Sequence, residues 1–349
     1  MKKFPLKGTE IPEEGLRILA NTEQMYEQWI NLRRSRAALP ATVVWKKIND
    51  MEYLYIRDAG QIEPKSQGPR TAASEQRYAG LKSAIDDVEQ RLDEVQRSLA
   101  LYMAQHRALR LPRILDLPGK ILRDFDLRGW LGVSLLVVGT NAFAAYEIEA
   151  GDRFAAGLNE TEDFDLAWCG NAAAVAGVRQ PILSALRSID PTFALNQKKP
   201  YQALNVKGYE VELLAAPSVM PSLLSLKDGF SPAPLIEQEW LLLGRPVRHV
   251  VSDYSGGPVP LVVPDPRWMG LHKIWLSQKP ERDPLKTGKD RKQGNLLLQA
   301  VARNMQHTYP MDTDFVLELP HELLPVFNQW AQENNYIPQK PAAGWQAKT

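Results

Sequence analysis

Residues 161–168 read TEDFDLAW and residues 209–215 read YEVELLA, and the alternation inside these two stretches decides the fold. In a strand, successive side chains point to opposite faces of the sheet. Phe164 and Leu166 therefore share one face while Asp163 and Asp165 share the other, and Val211 and Leu213 are set against Glu210 and Glu212 in the same way. Each stretch is a ribbon with an apolar side that needs a core and an acidic side that does not. An isolated pair of aspartates one residue apart is more often a solvated strand end, so the surroundings must decide. If the two strands are neighbours, three carboxylates converge. Like charges a few ångströms apart push each other's pKa values up unless cations neutralise them. Hard divalent ions with oxygen ligands do this, and magnesium keeps room for substrate phosphates.

Just upstream, WLGVSLLVV (130–138) reads as a central strand, too short to span a bilayer. It ends at Gly139, and the helical NAFAAYEIEA (141–150) begins within two residues. Backbone N–H groups and the positive helix end then face the turn, an arrangement suited to phosphate. Gly139 lets a ligand approach the backbone, and the Thr140 hydroxyl can donate a hydrogen bond. Simple N-capping explains a Gly-Thr before a helix equally well.

Downstream, NAAAVAGVRQPILSALRSI (171–189) is mostly helical with Pro181 interrupting it, and 201–214 forms a hairpin turning at Lys207 and Gly208. Strands alternating with helices indicate an α/β layer. Residues 245–266 read as another hairpin, 267 to about 335 as helical, and the proline-bearing tail from 337 as loose.

On the N-terminal side, 41–57 shows two β-rich pieces around Asn49 and Asp50, a hairpin signal, and the Gly, Pro and Ser-rich 58–74 reads as loop. Leu81, Ile85, Val88, Leu92, Val95, Leu99 and Tyr102 then recur at steps of four and three. That is a heptad seam on one long helix. Its partner is either another helix of this chain or, across 81–102, a second copy in a homodimer; pairing within one chain avoids the entropy cost of association. Prolines 112 and 118 mark a junction. The division expected is an N-terminal hairpin and heptad-helix region (1–110), a core (111–262) and a C-terminal helical domain with its tail (263–349).

With 349 residues, a net charge of +1 and 44% hydrophobic residues, neither disorder nor a wholesale nucleic-acid coat is implied. The single cysteine, Cys169, excludes an internal disulfide framework and a cysteine-built zinc site, and reads as a small core filler. The basic start lacks an apolar run behind it, so the expectation is a cytoplasmic protein with no secretory leader and no membrane segment. The basic clusters NLRRSR (31–36) and HRALRLPR (106–113) read as solvated helix faces before they read as nucleic-acid contacts.

Gly139-Thr140, Asp163-Phe164-Asp165 and Val211-Glu212-Leu213 together resemble the hG[GS]…[DE]h[DE]h…h[DE]h pattern of the DNA polymerase beta-like nucleotidyltransferase superfamily. VVGTNAFAAYE, GDRF, TEDFDL and NVKGYEVELLAAP look closest to a bacterial branch of that fold, a likeness running from the EYLYIRDAG hairpin (52–60) to the helical region near 300. The resemblance implies an α+β fold: a polymerase beta-like core, a mixed sheet flanked by helices, with an N-terminal hairpin and long-helix region and a C-terminal helical region. It further implies that Asp163 and Asp165 bridge two Mg2+ ions, that Glu212 holds the metal that activates the acceptor hydroxyl, and that Gly139 and Thr140 hold the triphosphate. Glu210 remains the alternative third acid; Glu212 has the matching register between Val211 and Leu213.

The segment 268–279, WMGLHKIWLSQK, is apolar on most sides of a helix, so Lys273 either snorkels to the surface or meets phosphate. In the branch resembled, the run through Lys286 and Lys289 looks shared, which implies Lys273 and Lys289 as phosphate contacts. Asp290 and Gln293 read as an N-cap and third position, a capping box. His272 reads as a packed helix histidine, and Trp268 and Trp275 as core.

The function implied is magnesium-dependent transfer of a nucleoside monophosphate from an NTP such as ATP to a hydroxyl on RNA, a protein or a small molecule, including a toxin-like role. The alternative is a catalytically inert nucleotide- or partner-binding module on the same fold.

Overall fold

The computed structural model describes residues 8–154, 163–170, 182–223 and 230–340. The first part of the helix expected over 171–189, with Pro181, lies outside the described residues, as does the tail beyond 340. The chain forms two compact units, residues 20–105 and the remainder, 1–19 with 106–349.

The larger unit is built on a mixed sheet. Asp163–Trp168 runs parallel to Glu210–Ala215, and each acid of one strand lies opposite an acid of the other: Glu210 pairs with Asp163 and Glu212 with Asp165. Leu135–Val137 adds antiparallel to Asp163–Trp168, Lys199–Leu204 adds antiparallel to Glu210–Ala215, and Ala194–Asn196 follows at the far side. The short Ala233–Pro234 also pairs with Glu210–Ala215. Phe164, Leu166, Val211 and Leu213 are fully buried, whereas the four acids stay partly exposed. The apolar half of the alternation fixes the register: a slip of one residue would bury the acids and expose these four side chains. Burying each large apolar side chain is worth about 1.5–3 kcal/mol.

Leu135–Val137 is the outermost strand of the sheet, not a central one. Its uninterrupted hydrophobicity has a different cause: Leu135, Leu136 and Val137 are covered on both sides, and the Pro258–Val263 strand lies close by. A smaller sheet pairs Val247–Asp253 with Pro258–Val263, the expected hairpin, and adds Arg113–Ile114 in parallel. The helix Asp116–Leu127 buries Ile121, Leu122 and Phe125. Among the described residues, four α-helices follow the hairpin: Pro266–Leu276, Pro284–Ala300, Thr313–Glu318 and Leu324–Asn334.

Pro266–Leu276 and Pro284–Ala300 cross where glycine meets glycine. A Cβ on Gly294 would sit 2.6 Å from the Gly270 carbonyl oxygen, and one on Gly270 would sit 2.7 Å from Leu298 Cδ2. Without Cβ atoms the two backbones pack directly.

In the smaller unit, Thr42–Ile48 and Met51–Arg57 form the expected hairpin, with Asn49 (φ 47°) and Asp50 (φ 64°) both left-handed, as the tightest hairpin turn requires. Lys65–Pro69 adds a third antiparallel strand to Met51–Arg57 within the stretch expected to be loop. Its side chains are mostly exposed and its composition is polar, so backbone pairing alone holds it and no hydrophobic alternation announces it. Ala72–Ala108 is the long helix, and every residue of its seam is buried or half-buried. Leu81 and Ile85 pack with Val43, Leu54 and Ile56 of the hairpin, and Arg36 pairs with Glu89 at 2.8 Å. The first two positions of the seam therefore have their apolar partner within the chain, on a β-hairpin and not on the helix expected. In the basic cluster that follows the first turns of the chain, Arg33 lies over Trp29 and Arg36 is spent on Glu89 and the Pro40 carbonyl.

Candidate active site

The four acids form a two-by-two grid on one face of the sheet, with neighbouring strands about 4.8 Å apart. Gly139 closes one side. The Val138 N–H donates to the Asp165 carbonyl at 3.0 Å, and Gly139 then turns with φ 69°. A Cβ at Gly139 would collide with Asp165 Oδ2, so only glycine fits against this carboxylate. Residues Gly139–Ala142 form a 3-10 turn that leads into the helix Phe143–Ala150, and Asn141 Nδ2 donates to the Asp163 carbonyl at 3.1 Å. Thr140 is buried, and Gln293 Nε2 donates to its Oγ1 at 3.4 Å.

On the opposite side Gln202, buried on the adjacent strand, donates through Nε2 to Glu210 Oε2 at 2.6 Å and to Glu212 Oε1 at 3.0 Å. Asn196 Nδ2 in turn donates to Gln202 Oε1 at 2.6 Å, which fixes the amide's orientation. One amide thus bridges two glutamates that would otherwise repel.

Above the acids lies a set of cations. Lys286 Nζ donates to Asp163 Oδ2 at 2.8 Å and remains 51% exposed. Lys273 is buried, at 6% exposure, and does not snorkel; its Nζ donates to Asp290 Oδ1 at 2.8 Å. Arg282 takes the other oxygen of Asp290, with Nε at 2.8 Å and Nη2 at 2.5 Å. Asp290 is not a helix cap. The helix starts earlier, at Pro284, with Asp283 capping it through the Leu285 N–H, and this places Asp290 and Gln293 in the interior of the helix. Lys286, Asp290 and Gln293 then recur at steps of four and three, on one face of the helix toward the acids and Thr140. Arg282 and Lys286 are the members of this set that sequence reasoning did not assign to the site. The Asp283-Pro284 step, with proline in the first turn, carries the signal that would have set the helix start correctly.

The electrostatics follow from this crowding. Burial, then the charges of Glu212 and Asp163, push the Asp165 carboxyl up to about 7, while Lys273 and Lys286 pull it back. Burial also raises Glu212, with the Gln202 hydrogen bond opposing and Asp163 adding to the rise. The hydrogen bond to Asp163 raises Lys286. Desolvation and the neighbouring Lys273 lower Lys289. Burial works against the charge of Asp290, but Lys273 and Arg282 outweigh it and hold that carboxyl below its ordinary value. The site is therefore short of positive charge at Asp165 and rich in it at the lysines.

Among the described residues, no three His, Cys, Asp or Glu side chains meet at a spacing that would hold a metal ion. Lys286 engages Asp163 Oδ2 and Gln202 engages Glu212 Oε1. The donor chemistry nevertheless fits a hard divalent ion: all-oxygen ligands, and a carboxyl at about 7 that extra positive charge would relieve. His272 is buried with both ring nitrogens unpartnered, beside Trp240, and burial lowers it to about 3, so it is a packed histidine. Trp268 is core, and Trp275 stacks edge-on to Trp240 at 4.8 Å. Cys169 packs against the core, with burial pushing its thiol up to about 12.

Residues 117–314 match the sequence profile of a nucleotidyltransferase family, more than half of the chain. The chain belongs to that family. No curated protein and no solved structure matches it. The nucleotidyltransferase match contains Gly139, Thr140, Asp163, Asp165, Glu212, Lys273 and Lys289, together with Lys286 and Asp290. Family membership implies a nucleotide substrate. Among the described residues, no helix is long and apolar enough to cross a membrane.

Proposed function

We propose that this nucleotidyltransferase uses magnesium to move a nucleoside monophosphate from an NTP to an acceptor hydroxyl, on a core of the polymerase beta-like kind. The observation that carries the proposal is the register of Asp163 with Glu210 and of Asp165 with Glu212, directly beside the Gly139 turn. Two strands place four carboxylates on one face, which a structural role does not require.

Asp163, Asp165 and Glu212 are the residues that would hold two magnesium ions, and bound magnesium would stabilise charge on the attacking and leaving oxygens of an in-line displacement. The chain's own contribution is positioning. Gly139, whose missing Cβ makes room for the Asp165 carboxylate, and Thr140 would meet the triphosphate through the turn they form. Lys286 and Lys289 sit on the helix face above the acids and would meet the outer phosphates, where the leaving pyrophosphate departs. Lys273, tied to Asp290, would act mainly through its field. Gln202 would release or retain Glu212 as the ion binds. No covalent nucleophile is needed, in keeping with a reaction governed by orientation and electrostatics. The acceptor is proposed only as a hydroxyl of RNA, protein or a small molecule, and the compartment as the cytoplasm.

A second reading, a binding module without turnover, draws on the pairing of Asp163 with Lys286 and of both glutamates with Gln202. One experiment separates the two. Each of the four NTPs, labelled on the α-phosphate, is incubated with the protein, magnesium and total cell extract. Label should pass to one class of acceptor and should be lost in the Asp163→Asn, Asp165→Asn protein while its circular dichroism is unchanged. Equal transfer by that variant refutes the assignment, and nucleotide binding with no labelled acceptor supports the inert module.

A further inference from the structure

Lys286 differs from the other cations of the site in how it is held. Lys273 and Arg282 are locked on the buried Asp290, with side-chain exposures of 7% and 25% against 3% for Asp290. Lys286 stands on the third residue of its helix, half in solvent, and its partner Asp163 is one of the acids proposed to hold metal. An ion pair this exposed contributes little, because water competes for both charges and the lysine stem loses its freedom when it is held. It is a contact that breaks easily. Its ammonium nitrogen, 2.8 Å from Asp163 Oδ2, occupies coordination space that a cation on that oxygen would need.

We infer that Lys286 is a placeholder cation: its ammonium neutralises Asp163 until a divalent ion binds, the ion displaces it, and the freed lysine swings to the outer phosphates of the nucleotide. The inference rests on the proposed metal site and adds an exchange to it. A divalent ion and an ammonium cannot share one carboxylate oxygen at close range without strong repulsion, so binding one expels the other. The exchange keeps the charge near Asp163 positive in both states. It also makes the lysine available only after the ion has arrived, which orders metal before productive seating of the triphosphate. Lys289, one turn further along the same helix, adds to the positive field around these acids.

Manganese serves as the probe, with free and bound ion distinguished by electron paramagnetic resonance, in the full chain without nucleotide. Lys286→Gln removes the competing charge and should bind Mn2+ at least about fivefold more tightly than the natural chain, the factor expected for losing one unit charge a few ångströms away in a solvent-facing position. Lys286→Arg keeps the charge and should bind as the natural chain does. In the same proteins, Lys286→Gln should weaken binding of a non-hydrolysable NTP in the presence of magnesium, while Lys286→Arg should not. Lys286 is exposed, so neither change threatens the fold. Equal, measurable Mn2+ affinity in the natural chain and Lys286→Gln overturns the placeholder and leaves the metal site standing. If neither binds Mn2+ at a site sensitive to Asp163→Asn, the metal site itself is refuted and the placeholder falls with it.

Discussion

Replacing Gly139 with alanine tests the tightest contact of the site. Two costs should add. The residue sits at φ 69°, a left-handed backbone that an L-residue with a Cβ adopts at a cost of roughly 1–2 kcal/mol. The new methyl would also collide with Asp165 Oδ2 and lie 3.2 Å from Asp165 Cβ, so the carboxylate must leave its position. Overpacking of this kind costs roughly 1–3 kcal/mol. Gly139→Ala should therefore lose about 2–5 kcal/mol and should also lose nucleotidyl transfer. The second cost depends on the Asp165 side chain and the first does not. A double-mutant cycle separates them: in an Asp165→Ala background, Gly139→Ala should cost the backbone part and the milder contact with the Cβ that alanine keeps, giving a coupling of at least about 1 kcal/mol for the lost carboxylate clash. Urea unfolding of the four proteins at pH 7.5, followed by tryptophan fluorescence, provides the numbers. If the two substitutions add within about 0.5 kcal/mol, the glycine is not held in place by the carboxylate and the reasoning fails.

Lys273→Met removes one partner of a buried pair and should destabilise by about 3 kcal/mol, toward the low end for such losses because Arg282 still holds Asp290. Urea unfolding measures the loss, and an unchanged midpoint in Lys273→Met would show that the lysine is not needed to hold Asp290. His106 is fully buried with neither ring nitrogen partnered, and burial, aided by Arg113, lowers it to about 4 against an unfolded value near 6.5. The folded chain therefore resists taking a proton that the unfolded chain accepts, and this contribution to stability is complete above pH ~6.5 and falls away as pH drops toward 4. His106→Leu should flatten the dependence of stability on pH across that window by about 1.4 kcal/mol per pH unit relative to the natural chain. Identical slopes in the two proteins would show that His106 is not protected from protonation.

The acid face was legible because strand alternation is a local property: Asp163, Asp165 and Glu212 each carry apolar neighbours that must face a core, so their own direction follows. Gly139 was legible for a similar reason, as a glycine between a strand and a helix. What stayed hidden depends on contacts between distant segments. Asp290 looks like a cap because an aspartate three residues before a glutamine fits that pattern, and only its meeting with Lys273 and Arg282 shows it as the centre of a buried charge cluster. Lys286 looked like any lysine near a helix start until Asp163, 123 residues away in sequence, was seen beneath it. Gln202 gave no signal at all, since its role comes from sitting across from Glu212 on the next strand. Leu135–Val137 read as a central strand because burial on both faces writes the same apolar run whether a strand is in the middle of a sheet or at its margin covered by a second layer.

Where Gly270 meets Gly294, the first two of the C-terminal helices touch through their main chains, and that point would serve as a fulcrum. Lys286 stands eight residues before Gly294, a lever arm of about 12 Å at 1.5 Å per residue. A methyl group at either glycine would tilt the far end of the arm and carry the ammonium off the acids, so a change with no polar atom of its own, made remote from any phosphate, would retune how deeply a nucleotide can seat.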